Sequence, residues 1–163
     1  MTDIFTPARR SYIMSRIRSR NTRPELIVRR YLWRRGYRYR LCAAKLPGRP
    51  DIVMRRLKVA IFVNGCFWHG HSHIKRSPGK NAEYWKNKIE ANRRRDLENG
   101  IKLRHAGWTV ITIWECELTP SKREQTLQRL AETLRLLGVT PYRRTDLQDL
   151  SLAADPPADY QPS

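Results

Sequence analysis

A chain of 163 residues suffices for one ordinary domain with its own core, and 33 Lys/Arg against 15 Asp/Glu leave a net charge of +18, well beyond what solubility requires. No apolar run approaches the ~20 residues that span a bilayer and no secretory leader is evident, so the expectation is a soluble, cytoplasmic, nucleoid-associated protein with a polyanionic partner. The odd set Cys42, Cys66 and Cys116 argues against a disulfide framework and leaves metal binding or catalysis as the question for each thiol.

Residues 7–19 carry Tyr12, Ile13 and Ile17 among arginines, with Pro7 near the start, and predict a short basic amphipathic helix. Thr22, Pro24 and Glu25 have capping-box spacing, and the helix they open runs through Leu26, Val28, Tyr31 and Leu32 to stop at Gly36. Residues 37–41 alternate apolar side chains with arginine, as a strand does, and Pro47, Gly48 and Pro50 form a turn that ends at Asp51. The apolar runs 51–54 and 59–63, separated by Arg55, Arg56, Leu57 and Lys58, predict two paired strands with Asp51 at a strand mouth.

Residues 64–80 read as a loop containing glycine, histidine and serine. Residues 82–99 follow as a helix with Tyr84, Ile89 and Leu97 spaced for burial, interrupted at Gly100 before Leu103 and ended by Gly107. The stretch 108–114 predicts a buried strand, and 121–137 a closing helix through Leu127, Leu130 and Leu134 before Gly138. From Thr140 the chain is proline-rich, acidic and aperiodic, which predicts a flexible tail. Three parts are expected: a basic DNA-clamping helix at 1–20, an α/β core at 21–139 in which helices flank a small mixed sheet, and the tail at 140–163.

Charge is uneven along the chain. Residues 1–58 hold 17 Lys/Arg against Asp3, Glu25 and Asp51, whereas 145–163 hold Asp146, Asp149, Asp155 and Asp159 with no base. Arginine dominates the front, and its planar fork matches phosphate better than a lysine does, which favours nucleic acid over a membrane surface.

The densest chemistry lies in residues 66–73, where Cys66, His69, His71 and His73 fall within eight positions after a strand. With Cys116 they could close a tetrahedral zinc site, but in an extended segment the three histidines would point the same way. Spacing alone therefore leaves open which two bind metal and which stays free. Asp51, facing that loop from a strand mouth, has the placement of a magnesium ligand, although a turn-capping role would also account for it. Taken alone, Asp96 among Arg93, Arg94 and Arg95 reads as an exposed ion pair, and Glu25 as the capping partner of Thr22.

The string Phe62-Val63-Asn64-Gly65-Cys66-Phe67-Trp68-His69-Gly70-His71 closely resembles the signature of the Vsr mismatch endonucleases. The resemblance extends to residues 14–18, 21–25 and 50–53, to Tyr84 and Trp85, to Arg95 and Asp96, and to Gly107, Trp108, Trp114, Glu115 and Cys116, covering about 7–118 in the family's order.

What the resemblance implies is specific. The fold would be restriction-endonuclease-like with a structural zinc site, and Asp51 would bridge two magnesium ions together with the backbone carbonyl of Val63. His69 would be the general base for the attacking water, Asp96 would orient it, and Glu25 would support the metal's water shell. The nick would leave a 5′-phosphate and a 3′-hydroxyl. Zinc would sit on Cys66, His71, His73 and Cys116, though the family commonly has Cys at the His73 position and His at the Asn64 position. Phe67, Trp68 and Trp85 would wedge between bases, while Arg16, Arg18 and Arg20 of the basic helix would clamp the duplex backbone.

The implied substrate is double-stranded DNA with a T·G mispair left by deamination of 5-methylcytosine, nicked 5′ of the thymine by a monomer, with mismatch-repair proteins, a polymerase and a ligase acting downstream. Two other readings remain at this point: a related nickase of matched DNA in a restriction system, and a zinc-containing DNA-binding module without catalysis.

Overall fold

The structure, a computed structural model, describes Arg9, Tyr12 and residues 20–41, 43–71 and 82–142. Arg9 and Tyr12 are helical; the rest of the expected basic helix, with Arg16 and Arg18, lies outside the described residues. So do Cys42, the segment 72–81 with His73, and the tail from 143 onward.

Helix α1 spans Arg23–Arg34 with Pro24 in its first turn, where a missing N–H costs nothing. The capping-box spacing is realised differently from the usual reciprocal pattern. Thr22 Oγ1 donates to Glu25 Oε1 at 2.8 Å, and the N–H of Asn21 donates to Glu25 Oε2 at 2.9 Å. Asn21 adopts a left-handed φ of 54°, and its Oδ1 accepts from the buried Arg29 at 2.6 Å. Gly36 ends the helix at φ 85°, and a Cβ there would lie 2.6 Å from the Tyr142 carbonyl, so only glycine fits this crossing. The N–H of Tyr37 bonds back to Leu32 at 2.9 Å and is lost to any ladder. That is why the strand expected over 37–41 shrinks to β1, Arg40–Leu41.

A four-stranded sheet follows in the order β1, β2 (Ile52–Met54), β3 (Val59–Asn64) and β4 (Thr109–Trp114). The first three strands are antiparallel, and β3–β4 is parallel, from Val59 opposite Thr109 to Asn64 opposite Trp114. Residues 55–57 form a 3₁₀ turn that Lys58 closes at φ 50°. Helix α2, Ala82–His105, makes the crossover, and α3, Arg123–Leu136, closes the fold.

The core alternates as a pleated sheet dictates. Ile52, Met54, Val59, Ile61 and Val63 face Val28 and Leu32 of α1 and Leu127, Leu130 and Leu134 of α3. Val53 and Ala60, buried but outside that cluster, point to the opposite face, where α2 buries Ile89 and Leu103. The expected mixed sheet flanked by helices is thus present.

Three expectations within it need correction. Gly100 does not interrupt α2: it is buried mid-helix, so close packing outweighs its ~1 kcal/mol propensity cost. Tyr84 and Leu97 are 58% and 62% exposed rather than buried, because only the narrow stripe through Ile89, Gly100 and Leu103 meets the sheet. β4 is half-buried with only Ile113 fully covered, since among the described residues it pairs with β3 alone. Among the described residues no helix is long and apolar enough to cross a membrane.

Candidate active site and metal centre

Asp51 leaves the Pro47–Pro50 turn at the edge of β2, and its Oδ2 accepts the Val63 N–H at 2.7 Å. This bond brings Asp51 beside Val63 through that residue's amide, whereas the resemblance implies a role for its carbonyl. Burial is the main force pushing the Asp51 carboxyl up to about 6; the Val63 amide opposes it, the Glu25 carboxylate adds to it, and His69 lowers it. Asp51, Glu25 and His69 thus lie within electrostatic reach of one another. Glu25 is itself buried, each oxygen already holding one hydrogen bond.

His69 sits in a wound loop instead of the extended segment that alternation assumed. Its N–H bonds to Gly65 at 3.2 Å, the His71 N–H bonds to Cys66 at 2.9 Å, and Gly70 between them takes φ 62°. The reversal sends the two imidazoles to different places. His69 Nδ1 donates to Asp96 Oδ2 at 2.5 Å, and the pair is partly exposed at 28% and 40%. Asp96, which by sequence alone reads as an ion-pair residue among arginines, is bonded to the histidine.

Asn92, one turn before Asp96 on α2, donates from Nδ2 to the Trp68 carbonyl at 2.9 Å. Sequence reasoning passed over it. The available signal was its i, i+4 spacing with Asp96, which places two short polar side chains on one side of an arginine-rich helix.

The second imidazole meets the thiols. Because Asn64 pairs with Trp114 in parallel register, Cys66 and Cys116, each two residues further on, emerge side by side. His71 Nδ1 lies 3.7 Å from Cys66 Sγ and 3.4 Å from Cys116 Sγ, and all three donor atoms fall within 4.8 Å of one another. The His71 ring stacks on Trp114, centroids 4.1 Å apart and planes at 6°. Burial raises the Cys66 thiol, partly offset by the Cys116 amide that donates to its sulfur at 3.4 Å. This Cys/His cluster could bind a metal ion. His73, the fourth expected ligand, lies outside the described residues.

Phe67, Trp68 and Trp85 form an edge-to-face cluster with centroids 5.2–5.8 Å apart, and Tyr84 adds to it 5.3 Å from Trp85. None of the four belongs to the core cluster, and Phe67 is 38% exposed. Arg20 is exposed immediately before Asn21.

Comparison with known proteins gives a consistent pattern. Residues 2–75 match the family model described as DNA mismatch endonuclease Vsr. The chain is 49% identical over 120 residues to the type II nicking enzyme V.XorIIP of Xanthomonas oryzae pv. oryzae, spanning 73% of this chain and 88% of that one. It is 45% identical over 122 residues to the type II nicking enzyme V.NmeAIP of Neisseria meningitidis, spanning 72% and 85%. Over 157 residues, 94% of this chain and the whole of the other, it is 34% identical to the DNA mismatch endonuclease Vsr of Escherichia coli.

Proposed function

Since the chain belongs to the Vsr family and is a DNA nicking endonuclease, we propose that it cuts one strand of a duplex on the 5′ side of the thymine in a T·G mispair, with magnesium as the catalytic cofactor. The observation that carries the reading is the His69–Asp96 pair set within electrostatic reach of the half-buried carboxylate of Asp51. A metal-binding carboxylate, a base and an orienting carboxylate would come from the start of β2, the 65–71 loop and α2 respectively.

In this mechanism His69, its Nδ1 proton committed to Asp96, presents Nε2 to a water and takes its proton as the water attacks the phosphorus. Asp96 fixes the ring's tautomer and orientation, and Asn92 holds the backbone from which the ring hangs. Asp51 and the Val63 carbonyl would hold magnesium, which when bound polarises the phosphate and stabilises charge on its oxygens. The residues fit such an ion: Asp51 is a half-buried carboxylate raised to about 6, with the buried Glu25 carboxylate within electrostatic reach. The products are a 5′-phosphate and a 3′-hydroxyl.

Cys66, His71 and Cys116, joined by His73, would hold zinc, a fit that rests on two thiols and an imidazole already within 4.8 Å. A metal held there would tie the loop to the residues that follow β4, apart from the reacting phosphate. The cluster of exposed Phe67 with half-buried Trp68 and Trp85 supplies flat apolar faces for bases beside a mispair, where unstacking is cheapest. The reading includes a restriction-endonuclease-like arrangement of the 21–139 core, a basic clamp at 1–20 and an acidic segment at 140–163.

A second reading, nicking of matched DNA within a restriction system, is favoured by two observations: relatives at 49% and 45% identity are named type II nicking enzymes, and Asn64 stands where the family pattern has histidine. One experiment separates the two. A labelled duplex with a single T·G mispair in a cytosine-methylation context is compared with its T·A control, in magnesium and in chelator. Magnesium-dependent cutting 5′ of the mispaired thymine alone is expected. Equal cutting of both duplexes supports the second reading, and binding without cutting overturns both.

A further inference from the structure

A concavity of about 600 Å³, lined by none of the proposed catalytic residues, opens between the first turns of α1 and α3. Its rim carries Arg23, Arg30 and Arg123, and its floor Leu26 and Ile27. All three arginines are exposed, and none forms an ion pair or side-chain hydrogen bond among the described residues. Arg23 opens α1 and Arg123 opens α3, so two of the guanidiniums stand at helix ends that are already positive.

The acidic residues of those first turns hydrogen-bond to neutral groups and pair with none of the three arginines. Glu25 has both oxygens committed to Asn21 and Thr22, and Glu124 accepts from Gln128 at 3.2 Å. Three like charges lining one cavity present a positive field that an anion between them would relieve. Guanidinium forks select a phosphate among anions, and an apolar floor suits the carbons of an attached sugar.

We propose that this cavity is a phosphodiester site, which seats one backbone phosphate of the substrate duplex outside the scissile step. Asn21 and Thr22 line the same cavity and hold Glu25, which lies within electrostatic reach of Asp51, so the cavity is linked through one residue to the nicking centre. The arginines fix the register of the duplex on the protein and read no sequence. The inference rests on the reading of the chain as a DNA nickase.

The test is equilibrium binding of the full chain to a labelled duplex in chelator, where no cutting is required. Arg30→Ala with Arg123→Ala is expected to reduce the slope of log affinity against log salt by about 0.9, the value for one neutralised phosphate. Arg30→Lys with Arg123→Lys, which keeps the charge, is expected to restore most of it. In a series of duplexes each bearing one neutral methylphosphonate, the wild type weakens at one position that the alanine variant ignores. An unchanged slope overturns the proposal. So does tighter binding by the alanine variant, the sign expected if the acidic segment 145–163 were the occupant. A wild type that binds with this phosphate dependence but never nicks in magnesium overturns the nickase reading and leaves the site standing.

Discussion

Replacing Asp51 by asparagine is expected to stabilise the metal-free protein while abolishing its nicking. The half-buried carboxyl is pushed from 3.8 up to about 6, so ionising it costs more in the folded chain than in the unfolded one. A group raised in this way contributes its full stability below pH 3.8, and that contribution is lost as pH rises through about 6. From those two values the charged form costs the fold about 1.5 kcal/mol at pH 5 and about 3 kcal/mol at pH 8. Asparagine keeps an oxygen for the Val63 N–H and carries no charge. In chelator the variant should melt about 6–12 °C higher than the wild type at pH 8, and by about half as much at pH 5. Magnesium should close the gap by stabilising the wild type alone. A variant that melts at or below the wild type at pH 8 in chelator would refute the argument, since the carboxylate would then not be paying for its burial.

Three further outcomes follow from the geometry. His69→Ala is expected to slow nicking about 10²–10⁴-fold, and adding Asp96→Ala should cost little more, because the two act as one unit; additive losses would show independent roles. Asn92→Ala, which frees the Trp68 carbonyl, should slow single-turnover nicking about 2–10-fold, the worth of one neutral hydrogen bond, and Asn92→Asp should be slower than Asn92→Ala because a carboxylate repels that carbonyl. The purified chain should contain about one zinc per molecule by atomic absorption, and Cys116→Ser should lower both that content and the melting temperature.

What could be read in the sequence was what local pattern controls. The apolar runs on either side of Arg55–Leu57 gave β2 and β3, and the Pro-rich turn before them put Asp51 at a strand mouth. The clustering of Cys66 and the histidines pointed to metal chemistry, but the nearness of Cys116 depends on the parallel register of β3 with β4, fifty residues apart in the chain. Period-two reasoning placed His69 and His71 on one side; the single left-handed residue Gly70 reversed that, a backbone choice invisible to hydrophobic pattern. Tyr84 and Leu97 misled because apolar spacing marks a possible buried stripe, and α2 meets the sheet along a different one.

The same loop explains why two sites of different chemistry stand so close. Residues 65–71 are pinned at both ends by Cys66 and His71 at the thiol cluster, and in the middle by Asn92 on Trp68 and Asp96 on His69. A loop held only by Asp96 would leave His69 free to swing with a partly exposed partner, and a surface pair of that kind orders little. Fixing the backbone on either side of the imidazole removes that freedom before substrate arrives. On the proposed reading, the metal at the thiol cluster therefore serves the nick by making the position of His69 a property of the fold, with Asp96 left to set only the ring's tautomer.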